Sequence, residues 1–511
     1  MSILRDAPSA AAWLRASGAT QLVTDSRKVL LNDHEKIAFI AWPGAAVDGR
    51  AFISAALKDG AVAALMEANS ESKTGSQPIQ DAPPIGAYVD LKAAAGEIAS
   101  LFYDKPSEQL NIVAITGTNG KTSSSWWLAE ALSALPAPFT QKCAVVGTLG
   151  TGLIGHIENN GLTTPDPVLL QKRLRAFFDE GCKAVALEAS SIGIAEDRLN
   201  GTRIHTAVFT NFTQDHLDYH GTMEAYWQAK SALFEWPHLK AAVINIDDAQ
   251  GLTLVDQLKE QVASNPVDIW TFGIERVARL QARNITMTTQ GLSFDVMENA
   301  QTEHVKTHLV GRYNISNLLG VIASMRSLGI PLTLCTKACA AITPVPGRLE
   351  IVSKTVEPLT LIDYAHTPDA LKQVLLALRE ISDARGGMLW CVFGCGGNRD
   401  ATKRPMMGAT AKRFADSVVI TSDNPRDENP NTIVSQILLG INEDSSVKVQ
   451  VQVQVDRALA INETIAQAHA NDVIVIAGKG HEDYQEIAGI KTTFSDQAHA
   501  RAALVTWRAK S

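Results

Sequence analysis

Cysteine is scarce, with six residues in 511, at positions 143, 182, 335, 339, 391 and 395. Such sparse placement excludes a disulfide-stapled scaffold. Cys335 and Cys339 have the spacing of one helix face, which fits buried thiols better than a zinc pair. Also missing is any run of about eighteen apolar residues, so no membrane span is expected. Met1-Ser2-Ile3-Leu4-Arg5-Asp6 leads into no continuous apolar stretch, which argues against a secretory signal and makes the cytoplasm the expected compartment. Positive charge is not in excess: 46 Lys and Arg face 54 Asp and Glu, for a net charge of -8. Duplex nucleic acid is therefore not an expected partner, although locally clustered cations can still hold an anionic substrate. No short-period repeat is evident.

What is present is the composition of a globular protein, 46% hydrophobic and 20% charged. The chain is too long for one ordinary core and implies two to four domains. Gly117-Thr118-Asn119-Gly120-Lys121-Thr122 is its most informative segment. It follows the apolar run Leu110 to Ile115, read as a buried strand, and precedes Ser123 to Leu135, read as a helix. A strand, a glycine turn with lysine and threonine, and a helix make a phosphate cradle. Backbone N–H groups face phosphate oxygens, Lys121 adds a point charge, and the Thr122 hydroxyl can ligate Mg²⁺. The full loop pattern would begin with glycine at the position of Ile115, so the match is incomplete.

Residues 1–105 alternate short apolar runs with helix-like stretches at Ala51 to Leu57 and Ala93 to Leu101. Asn69 to Pro84 reads as an exposed loop and Tyr103 to Ser107 as a linker. Residues 106–342 carry the phosphate loop and apolar strands at Cys143 to Val146, Ala184 to Leu187, Thr206 to Thr210 and Ala241 to Ile246. Helical stretches between them argue for a mostly parallel sheet covered on both faces. Residues 282–310 alternate like antiparallel strands, and Ile315 to Leu328 reads as a helix. Residues 343–511 form a second α/β unit, with strands at Leu359 to Ile362, Met388 to Phe393, Ser417 to Thr421 and Val473 to Ile476. Two nucleotide-binding-like units imply a ligand cleft between them.

Four polar clusters follow the loop. Thr163-Thr164-Pro165-Asp166 offers hydroxyls to a phosphate or peptide, but Thr-Thr-Pro is also an ordinary turn. Glu188 closes a strand, where a carboxylate suits either Mg²⁺ or helix capping. Asn211 to His220 concentrates Asp215, His216, Asp218 and His220. Lys230 stands in the apolar, aromatic stretch Tyr226 to Phe234, where composition alone has it snorkel to water.

Together with Gly311 to Asn317, Pro346-Gly347-Arg348, Asp363 to Pro368, Gly396 to Asp400, Asp423-Asn424-Pro425-Arg426 and Gly478 to Glu482, these motifs in this order resemble the ATP-dependent Mur ligases over nearly the whole chain. The likeness is greatest to the members adding the third residue of the peptidoglycan stem. The resemblance implies an α/β fold with three domains: residues 1–105 binding a UDP-sugar, a central P-loop ATPase-like domain at 106–342, and a Rossmann-like amino-acid-binding domain at 343–511. It implies ATP and Mg²⁺, with Lys121, Glu188, His216 and Lys230 as catalytic residues and Thr122, Glu188, His216 and Lys230 about the metal. Lys230 matches the lysine carbamylated by CO₂, which turns a cation into a carboxylate-like ligand. Gly117 to Thr122, Asn314, Arg348, Asp363 and His366 match ATP positions. Ser26, Asn160, Thr163, Thr164, Ser190 and Arg198 match contacts to UDP-N-acetylmuramoyl-dipeptide. Arg399, Asp423, Asn424, Arg426, Gly478 and Glu482 match those to meso-diaminopimelate. An arginine at 426 suits a distal carboxylate that lysine lacks. A monomer is expected.

The chain departs from the family pattern at Asn32 to Phe39, and at Ile192 and Glu196, where an imidazole and an amide are usual. A ligase adding D-alanyl-D-alanine, a folate-extending ligase and a catalytically silent relative remain as alternatives. The first two share the loop and the lysine.

Overall fold

The computed structural model describes residues 2–30, 35–44, 47–68, 83–159, 161–261, 267–288, 291–442 and 449–508. Asn160, most of the segment Asn69 to Pro84, and Asn32 to His34 lie outside the described residues.

Three α/β units follow one another. The first is a five-stranded sheet in the order Ser2–Leu4, Ile85–Tyr88, Ala63–Glu67, Ile37–Ala41, Gln21–Val23, parallel throughout. Ile37–Ala41 is buried along its whole length, as a strand covered on both faces must be. The helices Ala7–Ala16 and Leu91–Phe102 pack together on one face, and Ile53 and Ala56 lie in the core of the other. Tyr103 to Ser107 is a packed joint rather than a free linker. Tyr103 is buried and its hydroxyl accepts from Leu22 N at 2.9 Å, while Ser107 Oγ accepts from Arg203 N at 2.9 Å.

The central unit is an eleven-stranded sheet. Its strands from Leu280–Thr288 through Asp268–Gly273, Ala241–Asn245, Thr206–Phe209, Asn111–Thr116 and Ala184–Glu188 to Cys143–Gly147 run parallel. Antiparallel strands extend both edges. Asn111–Thr116 lies between Thr206–Phe209 and Ala184–Glu188. The residues following those three strands, namely the phosphate loop, Asn211 and Ala189, therefore emerge side by side at the carboxyl edge, where open α/β sheets bind ligands.

The third unit is a six-stranded sheet, in the order Glu350–Ile351, Leu359–Asp363, Val473–Ala477, Leu389–Phe393, Ser417–Ile420, Gln450–Val453, parallel except at the first strand. The segments after three inner strands begin at Tyr364, Gly394 and Gly478, so this carboxyl edge also gathers polar motifs. A hairpin, Tyr484–Ile487 with Ile490–Thr493, follows the last of them. All six cysteines are free and buried, as their sparseness led us to expect. Among the described residues no helix is long and apolar enough to cross a membrane.

Candidate active site

The carboxyl edges of the second and third sheets face each other across a cleft of ≈1230 Å³. On one wall, the strand Asn111–Thr116 breaks at Gly117 (φ +145) and Gly120 (φ +86), and the helix Lys121–Ala134 begins at once. A Cβ at Gly120 would lie 2.3 Å from Asn317 Oδ1, so the loop needs glycine there for space as well as for backbone angle. Lys121 Nζ donates to the carbonyls of Gly117 and Thr118, both at 2.9 Å. Burial pushes its ammonium down from the ordinary lysine value, and Glu188 and Asp215 oppose that shift.

Glu188 is 1% exposed. Its carboxylate accepts from Thr122 Oγ1 at 3.0 Å, Thr148 N at 2.9 Å and Thr148 Oγ1 at 3.0 Å. Thr148 Oγ1 in turn meets Thr163 Oγ1 at 3.1 Å. Thr164 Oγ1 donates to the Glu188 carbonyl at 2.7 Å and pairs with Ser190 Oγ at 2.9 Å, while Ser190 caps the helix Ser191–Ala195. Arg198 Nη1 donates to the Thr164 carbonyl at 3.1 Å, and its side chain lines the cleft.

Lys230 does not snorkel. It is 1% exposed, and its ammonium donates to Gly117 O at 2.8 Å and lies 4.3 Å from the centroid of the Tyr226 ring. Burial and the charge of Lys121 hold it well below the ordinary lysine value, so the neutral amine is favoured. His216, left-handed at φ +53, begins the turn Leu217–His220. Burial, opposed by Asp215, brings its imidazole down to about 4.

The opposite wall belongs to the third unit, and polar contacts cross between the two. Arg348 Nη2 donates to Thr122 Oγ1 at 3.1 Å, and its guanidinium stacks on Tyr364 at 4.4 Å. Asn119 Nδ2 reaches Asp369 Oδ2 at 3.3 Å, and Gln214 Nε2 reaches Thr402 Oγ1 at 3.1 Å. Asp215 is the hub: its carboxylate lies 3.5 Å from His216 Nε2, and across the cleft 3.7 Å from both His366 Nε2 and Lys403 Nζ. Burial alone would raise this carboxyl, but the hydrogen bond and charge of His366, with His216 and Lys403, take it well below the usual range. Asp363 accepts from Leu349 N and Ala365 N at 2.8 and 2.7 Å, so much of its carboxylate is spent on the local backbone. Asn314 Nδ2 donates to Val310 O at 2.7 Å.

Beyond them, Arg399, Asp423, Asn424, Arg426, Gly478 and Glu482 line the same cleft. Arg426 Nη1 donates to Gly397 O at 2.8 Å, and Arg426 Nε lies 3.7 Å from Glu486 Oε2. Backbone bonds join Arg426 to the hairpin, from Arg426 N to Glu486 O at 3.0 Å and from Ala488 N to Arg426 O at 2.6 Å. Ser26, at the start of the turn Ser26–Lys28 in the first unit, does not line this cleft. Gly117, Thr164 and Lys230 stand behind its surface.

A profile of the Mur ligase middle domain matches residues 115–325, and one of the Mur ligase glutamate ligase domain matches residues 347–480. A UDP-N-acetylmuramoyl-L-alanyl-D-glutamate–2,6-diaminopimelate ligase from Acidovorax sp. (strain JS42) is 54% identical over 496 residues, spanning 96% of each chain. This chain belongs to the Mur ligase family. An enzyme of the same name from Chromobacterium violaceum is 45% identical over 94% of each chain. A solved structure of a ligase with that name has a TM-score of 0.64 at 35% identity, covering 96% of this chain and 95% of its own. The MurF ligase of Thermotoga maritima in complex with ADP shares the fold, with TM-score 0.64 at 17% identity over 97% and 99% of the chains.

Several residues of this Mur ligase cleft had no role in the sequence reading. Thr148 follows the strand Cys143–Gly147, which pairs with Ala184–Glu188, so it emerges at the same carboxyl edge as Glu188. Lys403 carried no such signal; Asp215 stood in the polar cluster Asn211 to His220 and Lys479 in the motif Gly478 to Glu482, but neither had a role there, because their partners His366, Lys403 and Asn424 come from distant segments.

Proposed function

We propose that this chain joins meso-2,6-diaminopimelate to the D-glutamate of UDP-N-acetylmuramoyl-L-alanyl-D-glutamate at the expense of ATP, in the cytoplasmic stage of peptidoglycan precursor synthesis. One observation carries the reading: a phosphate loop and a mixed-charge group of Arg426, Asp423 and Glu482 line a single cleft. The relatives' names agree with it.

The chemistry follows from the charges. A carboxylate is a poor electrophile. The substrate carboxylate attacks the γ-phosphorus of ATP, a new C–O–P linkage forms, and the bond to ADP breaks. The amine then attacks the acyl carbon, the C–N bond forms, and inorganic phosphate leaves. Lys121 and the loop N–H groups would take the β- and γ-phosphates and offset charge on the transferring group. Arg348, His366 and Asn314 would hold the rest of ATP, so binding depends on both walls. Thr163, Ser190 and Arg198 would hold the dipeptide, with Arg198 gripping a carboxylate, while Thr164, behind the cleft surface, would fix Ser190. Ser26 belongs to the proposed UDP-sugar unit. Residues 1–105, 106–342 and 343–511 are the proposed domains for UDP-sugar, ATP and amino acid.

The donor chemistry fits Mg²⁺. Thr122 Oγ1 and Glu188 Oε2 are hard oxygens 3.0 Å apart, and this ion takes few protein ligands beside water and phosphate oxygens. Bound there, it would neutralise phosphate charge. Burial disfavours the charged form of Lys230, which suits carbamylation; a carbamate would add a further oxygen donor, and His216 stands beside it against Tyr226.

The test is product formation from ATP, Mg²⁺ and the UDP-dipeptide with meso-diaminopimelate, L-lysine or no amine, read as phosphate release and product mass. Tripeptide from diaminopimelate alone is expected. Product with L-lysine at equal efficiency would overturn the specificity, and none with either would overturn the reaction.

A further inference from the structure

Lys479 has no assigned part in the site, yet its side chain is completely buried beneath it. Gly478 (φ +115) and Gly480 (φ +53) flank it, a turn that drives the lysine inward. Its Nζ donates to Asn424 Oδ1 at 2.8 Å and Glu482 Oε2 at 3.3 Å, and stands 3.6 Å from Asp423 Oδ1. The three donors of one ammonium thus face three residues of the amino-acid site.

The consequence is directional. Asn424 Oδ1 also accepts from Glu486 N at 3.0 Å. Neither an ammonium nor a backbone N–H can accept, so the amide oxygen must face inward. Asn424 Nδ2 then points outward, giving one hydrogen to Glu482 Oε2 at 2.7 Å and leaving the other for a ligand oxygen. Glu482 Oε2 is thereby occupied twice, and Oε1 is left for a ligand cation. Asp423 and Glu482 put two carboxylates close together, and the neighbouring Arg457 is already paired with Asp496 at 2.6 Å. Lys479 offsets one of the two charges, leaving about one for a substrate ammonium.

We propose that Lys479 is a positioning residue for the amino-acid substrate, holding the Asn424 amide and the Glu482 carboxylate in the orientation that receives the carboxylate and ammonium at the far end of diaminopimelate. This rests on the diaminopimelate reading of the site.

The test is Lys479→Met, with KM measured for all three substrates. The amine-free, UDP-dipeptide-dependent exchange of label between ADP and ATP is followed alongside. The expected result is a KM for diaminopimelate raised at least about thirtyfold, as befits buried polar groups left unpaired. KM for ATP and for the UDP-dipeptide should stay within about twofold, and exchange should persist. Lys479→Gln retains a neutral donor and guards against misfolding of the first variant; it should show the same split, about fivefold or more. A folded variant with unchanged KM for diaminopimelate overturns the proposal, as does a parallel loss of all three KM values and of exchange. If the wild type prefers another amine, the diaminopimelate reading fails separately, and the same KM split measured with that amine decides the role of Lys479.

Discussion

Adding a single methyl group at Gly147 should disable the site without touching a substrate. The Glu188 side chain lies against the bare backbone of this glycine. A Cβ there would fall 2.1 Å from Glu188 Oε1, 2.7 Å from its Cδ and 2.8 Å from its Cγ. Ordinary carbon contacts are about 3.5 Å or longer, so the carboxylate must retreat by about 1 Å. Gly147 is not in the left-handed region, so alanine strains no backbone and the effect is confined to the contact. Glu188 has little freedom to yield, being 1% exposed and held by Thr122 and both donors of Thr148. A shift of that size breaks or stretches bonds worth about 1.5–3 kcal/mol each, and misplacing a group that orients the reaction by about 1 Å costs about a hundredfold in rate. We therefore expect Gly147→Ala to lower kcat about a hundredfold and to raise the Mg²⁺ concentration needed for half-maximal rate. The assay is phosphate release at saturating substrates across a Mg²⁺ titration, with a thermal melt to verify folding. A folded variant with wild-type kcat and Mg²⁺ dependence would refute the positioning of Glu188 described above.

Arg426→Ala should lower kcat/KM for diaminopimelate by about 10²–10⁴, the worth of two charge-assisted hydrogen bonds, while any L-lysine rate moves less than about threefold; an equal fall for both amines would contradict the assignment. Lys230→Met should cut kcat about a hundredfold or more, as loss of an electrostatic group at a transferring phosphoryl does; native mass spectrometry should find one CO₂ on the wild type and none on the variant. Burial brings His481 down from 6.5 to about 4, with Arg348 adding to the fall. A folded value below the unfolded one means the unfolded chain binds more protons between them, so this contribution to stability is complete above about pH 6.5 and is lost towards pH 4. Melts over that window should fall less steeply for His481→Asn than for the wild type, and a steeper fall would contradict it.

Much of the fold was legible because parallel strands covered on both faces are continuous apolar runs. Ala184–Glu188, Ala241–Asn245 and Val473–Ala477 are buried at every position. The hairpin Tyr484–Thr493 escaped notice, because its strands are largely exposed and carry no apolar run. Lys230 was the instructive reversal: composition favours water for a lysine, and only the spatial approach of Gly117 O and the Tyr226 face makes burial tolerable. The phosphate loop and Glu188 were visible because strand ends are local features. The Asp215 hub and the Lys479 cluster join residues far apart in the chain, and no spacing rule announces them.

The transfer of oxygen from the dipeptide to phosphate tests the proposed chemistry most directly. UDP-dipeptide labelled with oxygen-18 in its D-glutamate carboxylates is turned over with ATP and meso-diaminopimelate, and the released phosphate is weighed. If an acyl phosphate forms, each phosphate carries one labelled oxygen and the tripeptide product has lost one. Unlabelled phosphate accompanying tripeptide formation would contradict the acyl-phosphate route on which the roles of Lys121, Thr122 and Glu188 depend.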